Sequence, residues 1–97
     1  MSEEQKTQLY WIAQEAVTNA RKYADADEIR IRLRATSDGL RLLIEDDGDG
    51  FNPSREEGGL GLRSMKYHSE LVTGTFSFDS APGEGTQIGC RVYPPMY

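Results

Sequence analysis

The chain has little of several features that mark common classes of protein. Cys90 is the one cysteine in 97 residues, which excludes an internal disulfide framework and a zinc site built from several cysteines. We expect Cys90 to be a small buried residue of a strand. The chain also lacks an apolar run long enough to span a membrane and a basic N-terminal segment followed by an apolar core. These absences predict a soluble, cytoplasmic domain without membrane contact, although its parent protein could be anchored in the inner membrane.

Excess positive charge is missing as well. The 11 Lys and Arg residues are outnumbered by 16 Asp and Glu residues, giving a formal net charge of −5. General nucleic-acid binding requires a basic surface, so the composition argues against it. A small anionic nucleotide is not excluded, because a metal ion and backbone N–H groups can supply positive potential locally. The length and the hydrophobic content of 37% predict a single domain over residues 1–97 with a modest core.

The periodicity of apolar residues predicts two helices and four strands. Apolar residues recur every three or four positions over 3–24, which is typical of an amphipathic helix. A second helix is expected over 60–71, with Leu62, Met65 and Leu71 as its inward residues. Strands are expected over 29–34, 40–46, 75–80 and 88–92 because apolar and polar residues alternate there.

Each predicted strand has one apolar and one polar face. In the first strand, Ile31 and Leu33 are expected to face the core, while Arg30, Arg32 and Arg34 face solvent. Turn residues follow the first and third strands, predicting two hairpins. The order of helix, hairpin, loop, helix, hairpin indicates an α+β fold, a two-layer α/β sandwich with a mostly antiparallel sheet and its helices on one face.

The first helix carries a polar group at helical spacing. Glu15, Asn19, Lys22 and Tyr23 lie at i, i+4, i+7 and i+8 and therefore share one face. Oxygen ligands suit Mg²⁺, which keeps several of its waters, and a lysine suits phosphate. Asn19 is the predicted metal ligand, and Glu15 could orient a water or take a proton. A solvated helix face is the alternative interpretation.

Three glycine clusters follow, and each is ambiguous alone. In DDGDGF at 46–51, the carboxylate of Asp46 ends a strand, and Gly48 and Gly50 let the backbone pass close to a ligand. Such a carboxylate can accept the exocyclic N–H of adenine, or it can simply belong to a turn.

The second cluster, 59–62, opens the second helix, where free N–H groups attract phosphate, but it could be a loop hinge. The third, 83–86, ends in Thr86 and could be a hairpin turn. No P-loop motif is present. The four motifs in this order predict a nucleotide site.

Two further patterns in the sequence suggest other chemistry. Acidic residues from Glu45 to Glu56 partly match a calcium-loop template, but the entering segment is predicted to be a strand, and Asn52-Pro53 interrupts the pattern. His68, the one histidine, is a weak candidate for a phosphoryl acceptor, because the residue after it is Ser69 and not an acidic one.

Together the motifs resemble those of sensor histidine kinases. Residues 14–24, QEAVTNARKYA, look like the Asn box, and 46–51 look like the first glycine box. Residues 59–65, GLGLRSM, look like the second glycine box in the form typical of nitrate-sensor and desaturase-sensor kinases, and 83–86 look like the last box. The resemblance covers roughly residues 8 to 93. It implies the GHKL (Bergerat) ATP-binding fold, shared with DNA gyrase, a heat-shock chaperone and mismatch-repair ATPases.

The resemblance also implies roles for individual residues. By it, Asn19 holds Mg²⁺ with Glu15 near the metal and its waters, Lys22 faces the phosphates, and Tyr23 takes a place often held by His or Tyr. Asp46 hydrogen-bonds the adenine amino group. The remaining nucleotide-binding positions that it implies are Gly48 and Gly50 beside the base, Gly59, Leu60, Gly61 and Leu62 in and beside the lid, and Thr86 behind Asp46.

The function implied is that of a histidine kinase catalytic domain. It would bind Mg-ATP and donate the γ-phosphoryl to a histidine on a separate dimerisation domain of the same parent, for relay to a response regulator. Two features depart from the family pattern. The strand that usually precedes the Asn-box helix is missing, and so are the upstream dimerisation helices. We therefore expect an N-terminally trimmed, excised domain that transfers little phosphate alone. The short lid at 52–58 fits the nitrate-sensor type.

Two alternatives remain. One is a serine kinase of the anti-sigma-factor type on the same fold. The other is a non-catalytic nucleotide-binding or interaction module that binds a partner through Arg30, Arg32 and Arg34.

Overall fold

All the helices and strands predicted from the sequence are present. The computed structural model of the chain describes residues 2–22, 25–37, 39–49, 61–81 and 83–93. Its elements, in chain order, are α1 (Glu3–Lys22), β1 (Ile29–Thr36), β2 (Gly39–Asp46), α2 (Leu62–Leu71), β3 (Thr75–Ser80) and β4 (Thr86–Val92). The predicted helix ends at Ala24 and Leu60 lie outside the described residues. Within those residues, neither helix combines the length and the apolar character needed to cross a membrane.

The strands form one antiparallel sheet in the order β1-β2-β4-β3. The two hairpins, β1–β2 and β3–β4, are the ones that the turn residues predicted. The hairpins join through β2 and β4, which the sequence alone did not indicate. This central pairing sets Asp46, the last residue of β2, directly opposite Thr86, the first residue of β4. The α+β sandwich with an antiparallel sheet is confirmed.

A reciprocal capping box starts α1. The backbone N–H of Gln5 donates to Ser2 Oγ at 3.1 Å, and the backbone N–H of Ser2 donates to Gln5 Oε1 at 3.0 Å. These bonds satisfy N–H groups that have no partner within the helix. Gln5 Nε2 also donates to the carbonyl oxygen of Tyr93 at 3.3 Å. The start of α1 is thereby fastened to the end of β4.

The core lies between the helices and the two central strands. Buried residues of α1 and α2 pack against the inward residues of β2 and β4; the cluster comprises Leu9, Ile12, Ala16, Leu42, Ile44, Leu62, Met65, Ile88, Cys90 and Val92. Cys90 is 3% exposed, as expected of a small strand residue. Phe76 and Phe78 of β3 are half-buried against this cluster, on the predicted face.

The predictions about inward residues held only in part. Ile31 and Leu33 of β1 lie on the predicted face, opposite Ile44 and Leu42, but each is 54% exposed, because the buried core is built on β2 and β4 and does not extend under the edge strand. The prediction that Leu71 faces inward was wrong, since Leu71 is 43% exposed. The buried residues of α2 are Leu62, Met65 and Ser69, and a residue two positions beyond the last of them points away from that stripe.

Candidate nucleotide-binding site

One end of the molecule brings together segments that are far apart in the sequence. The end of β2 lies between the start of β1, where Ile29 is opposite Asp46, and the start of β4, where Thr86 is opposite Asp46. The C-terminal end of α1 leads into β1 at this same end. The residues that the sequence singled out on β2 and β4 therefore lie opposite each other, because the central strands are antiparallel.

Asp46 is the half-buried carboxylate of this end. Its Oδ1 accepts a hydrogen bond from the backbone N–H of Gly48 at 2.8 Å, which fixes the turn after β2. Burial raises the pKa of the Asp46 carboxyl above its usual range, the nearby Asp47 charge raises it further, and the Gly48 N–H opposes the rise. The desolvated carboxylate is thus well suited to accept a further hydrogen bond from a ligand N–H.

The third glycine cluster packs directly on the backbone of Asp46. Gly85 has φ of +75°, and a Cβ at that position would lie 2.4 Å from the Asp46 carbonyl oxygen. The Gly83 N–H donates to the carbonyl oxygen of Asp49. Glycine is therefore needed at 85 both for the backbone conformation and for the close approach. The cluster is a hairpin turn, as the alternative interpretation held, and it also forms one side of the candidate site.

Thr86 and Ser80 form a small hydroxyl pair beside this turn. Thr86 is 4% exposed, and its Oγ1 lies 3.0 Å from Ser80 Oγ, which donates to the Gly85 carbonyl oxygen at 2.9 Å. Ser80 ends β3 opposite Thr86. Sequence reasoning missed Ser80, although the β3–β4 hairpin register could have indicated it.

Asp47 was also missed as a residue that shapes the site. Its Oδ1 accepts the backbone N–H groups of Asp27 and Glu28, each at 2.9 Å, so it holds the connection between α1 and β1 against the end of β2. In the calcium-loop alternative this oxygen would be a metal ligand, but here it satisfies backbone donors. Among the described residues no group of three or more His, Cys, Asp or Glu side chains could hold a metal ion.

The polar face of α1 meets the start of α2. Asn19 is 4% exposed and Glu15 is half-buried, so the solvated helix face considered as an alternative does not describe these two residues. Gly61, with φ of +70°, approaches Glu15 so closely that a Cβ there would lie 2.7 Å from Glu15 Oε1. The Asn box and the second glycine box are therefore neighbours in the structure.

Gly61 is the N-cap residue of α2 and has no side chain that could cap the first N–H groups of the helix. No acidic residue occupies the first turn of α2, which leaves the positive end of its dipole uncompensated by its own side chains. Leu62, predicted both to face inward and to lie beside the lid, is 8% exposed and belongs to the core, which confirms its inward position. Lys22 is exposed in the last turn of α1.

Four of the predicted site residues fall outside the described part of the chain: Tyr23, Gly50, Gly59 and Leu60. The predicted lid at 52–58 lies outside it too. Among the described candidates, the structure places Gly48 and Thr86 beside Asp46, and Gly61 beside Glu15. Gly85, which was not a predicted site residue, also lies against Asp46.

The chemistry of the α1 residues fits a magnesium ion that is shared with phosphate. Glu15 and Asn19 are one helical turn apart and supply a carboxylate and an amide oxygen, both hard ligands. Magnesium bound with nucleotide typically takes only one or two protein ligands and fills its remaining positions with water and phosphate oxygens. Glu15 and Asn19 together would supply this number of protein ligands.

Comparisons with a protein family and with curated proteins both point to histidine kinase-like ATPases. Residues 4–97 match the family described as histidine kinase-, DNA gyrase B- and HSP90-like ATPases. The chain is 38% identical over 88 residues to the signal transduction histidine-protein kinase/phosphatase DegS of Bacillus subtilis, a match covering 87% of this chain and 23% of DegS. It is 41% identical over 87 residues to an uncharacterised sensor-like histidine kinase of Chloroflexus aurantiacus, covering 82% of this chain and 15% of that protein.

Solved structures show the same fold. The histidine kinase domain of the blue-light activated histidine kinase EL346 from Erythrobacter litoralis superimposes with a TM-score of 0.79 at 24% identity, covering 93% of this chain and 45% of that one. The ATP-binding domain of PrrB from Mycobacterium tuberculosis gives 0.77 at 25% identity, covering 92% of this chain and 68% of that one. The chain thus spans less than a quarter of the two curated relatives, and it belongs to the family of histidine kinase-, DNA gyrase B- and HSP90-like ATPases.

Proposed function

We propose that this domain binds Mg-ATP and presents the γ-phosphoryl group to a histidine on a separate dimerisation domain of a sensor histidine kinase, from which the phosphate passes to a response regulator. One observation carries the proposal: the half-buried Asp46 carboxylate ends β2 between two segments, the turn at Gly48 and the segment Gly85-Thr86 that starts β4. The similarity to histidine kinases over most of the chain supports the class of reaction.

In this proposal Asp46 recognises the base. A carboxylate only accepts hydrogen bonds, so it discriminates in favour of a purine that presents an amino group. Gly48 and Gly85 keep the surrounding backbone close without a Cβ, and Thr86 holds the far side of Asp46 across the β2–β4 ladder. Burial of the carboxylate makes the contact stronger, because water does not compete fully for it.

The phosphates would lie between α1 and the start of α2. Asn19 would hold the metal, Glu15 would orient its waters, and Lys22 would face the phosphate charge. The uncapped N–H groups after Gly61 would supply further positive potential. Magnesium, when bound, neutralises phosphate charge, and catalysis then depends mostly on positioning. Tyr23, Gly50, Gly59 and Leu60 complete the proposed set, and the nitrate-sensor subtype stays a prediction.

The proposal assigns the remaining steps to other domains. The chain covers 23% of DegS and 15% of the Chloroflexus protein, so the acceptor histidine and the response regulator are partners supplied by the rest of the system. Domain and regulator would meet in the cytoplasm, where ATP is available.

The first test is Asp46→Asn in a calorimetric titration with ATP. We expect binding to weaken by about 10- to 100-fold, because a hydrogen bond to a charged, half-buried acceptor contributes roughly 1.5–3 kcal/mol and the amide presents a donor in its place. Asp79→Asn makes the same change on an exposed residue of β3 and should leave the affinity unchanged.

Misfolding would not explain such a loss. Because burial raises the pKa of the Asp46 carboxyl above its unfolded value, ionisation costs the fold stability at neutral pH. That cost shrinks as the pH falls through the folded-state pKa and is gone below the unfolded-state pKa. The uncharged amide should therefore not lower the midpoint of unfolding. Equal ATP affinity in Asp46→Asn and the parent chain, or no ATP binding by the parent chain, would contradict the proposal.

The second test concerns the metal. In Asn19→Ala we expect ATP affinity to become nearly independent of Mg²⁺, because the metal loses its ligand from the protein. The measurement is ATP affinity with and without Mg²⁺, compared with the same pair of titrations on Gln14→Ala, an exposed neighbour on α1. If the affinity of Asn19→Ala still rises with Mg²⁺ as in the parent, the assignment of Asn19 is wrong.

A further inference from the structure

The sheet has a second face, on the side away from the helices, which the proposed nucleotide site does not use. Here it is called the outer face. Arg34 of β1 lies directly opposite Arg41 of β2, and Arg41 lies directly opposite Arg91 of β4. Three adjacent strands thus contribute a continuous row of guanidinium groups, the arginine row, in a chain whose net charge is −5.

The arginine row is unfavourable for the isolated fold. Like charges directly opposite each other on neighbouring strands destabilise a sheet. Within the described residues, the ion pairs of the sheet join Arg30 to Glu28 and Arg32 to Glu45. None of those ion pairs involves the arginine row. Its charge is therefore concentrated, and no ion pair among the described residues compensates it.

An apolar floor lies beside the arginine row. In the next cross-strand row, Leu43 is directly opposite Gly89. The half-buried side chain of Leu43 therefore lies beside a glycine, which has no side chain to cover it. Ser77 borders Gly89 from β3. A shallow groove is lined by these residues together with Arg41, Arg91 and Tyr93, which is 43% exposed. Arginine and tyrosine around an apolar centre are typical of residues that carry binding energy in protein interfaces.

The charge pattern distinguishes between possible occupants. A nucleic acid or an anionic membrane presents extended negative charge to the whole domain, and the net charge of −5 opposes that approach. A second copy would have to offer acidic residues of its own outer face, but Glu28 and Glu45 are already paired with Arg30 and Arg32. The further acidic residue of the strands on that face, Asp79, lies at the end of β3 away from the arginine row. A short acidic segment of a protein meets the arginine row without these costs.

We propose that the outer face is a docking surface for an acidic protein segment, with carboxylates on the arginine row and an apolar side chain on the floor formed by Leu43 and Gly89. The surface is separate from the nucleotide site and does not depend on its assignment.

The probe is a short fluorescein-labelled peptide of glutamates around a central leucine, titrated with the 97-residue chain and followed by fluorescence anisotropy. We expect saturable binding that weakens as salt is added and that falls by about tenfold or more in Arg41→Glu, since the reversed charge places like charges opposite each other across the interface. Lys66→Glu makes the same charge change on an exposed residue of α2 and should bind as the parent does.

A stability measurement distinguishes a loss of peptide binding from misfolding of the variant. Arg41→Gln relieves two like-charge contacts, so its thermal midpoint should equal or exceed that of the parent while peptide binding falls. A lower midpoint would mean that the arginine row serves the fold, which overturns the proposal.

Other results would also overturn it. These are the absence of saturable peptide binding, an equal loss of binding in Lys66→Glu, and tighter binding of oligothymidylate or of phosphatidylglycerol vesicles than of the peptide. Self-association in sedimentation that Arg41→Glu abolishes would assign the face to a second copy instead.

Discussion

Gly83 and Gly85 have similar backbone angles but different surroundings. Their φ values are +82° and +75°, in the region that favours glycine. A Cβ on Gly83 would meet nothing within 4 Å, whereas a Cβ on Gly85 would lie 2.4 Å from the carbonyl oxygen of Asp46. One glycine serves the turn alone, and the other also positions the residue proposed to recognise the base.

The pair allows backbone strain to be separated from crowding. We expect Gly83→Ala to lower the free energy of unfolding by about 1 kcal/mol, the cost of a left-handed conformation for a residue with a Cβ. Gly85→Ala should lower it by roughly 1–3 kcal/mol more, because the added methyl group overpacks against β2. Urea denaturation of both variants measures the difference. Equal losses would show that the approach of Gly85 to Asp46 is not tight in solution.

At the scale of elements, β1 and β2 show how position in the sheet decides burial. Leu33 and Leu42 are directly opposite each other, yet Leu33 is 54% exposed and Leu42 is 5% exposed. The helices pack over β2 and β4, and β1 lies at the edge. Between α1 and β1 runs an open groove lined by Lys6, Leu9, Tyr10, Ala13, Ile31, Leu33 and Leu42.

The same substitution in the two strands should have unequal effects. Leu42→Ala leaves a cavity in the core, and we expect it to lower the free energy of unfolding by about 2–5 kcal/mol. Leu33→Ala removes a side chain that is already half in water, and its cost should stay below about 1 kcal/mol. Chemical denaturation under identical conditions compares them. Similar losses would mean that β1 is covered in solution.

At the scale of the whole molecule, the one histidine is engaged in packing. The ring of His68 stacks on Trp11 with centroids 4.0 Å apart, and its Nδ1 contacts Gln8 Oε1. These contacts join α2 to α1 and leave the ring half-buried. A phosphoryl acceptor must be reached by the γ-phosphate, so the structure favours an acceptor elsewhere.

We therefore expect the isolated chain to bind ATP but to incorporate little phosphate. Incubation with γ-labelled ATP, followed by acid treatment, measures both the amount and the kind of linkage, since phosphohistidine is acid-labile and phosphoserine is not. His68→Gln should leave any residual incorporation unchanged. Stoichiometric labelling that disappears in His68→Gln would place the acceptor within this chain, and acid-stable labelling would favour a serine kinase.

Local patterns in the sequence determined the helices, strands and hairpins of this protein and its family. Period-three-and-four and period-two repeats of apolar residues were sufficient for the helices and strands, because one face of each element is buried. Turn residues determined both hairpins. The order of the Asn-bearing helix and the glycine clusters identified the family, which the match over residues 4–97 confirmed.

Only the tertiary structure decided which hairpin strands meet, since pairing between distant segments leaves no local signal. The β2–β4 ladder sets Asp46 against Thr86 and aligns Arg41 with Arg91 on the outer face. Helix packing buried Asn19 and brought Glu15 to Gly61. It also left Ile31 and Leu33 exposed although their alternation predicted burial, because periodicity shows which residues share a face but not whether another layer covers it.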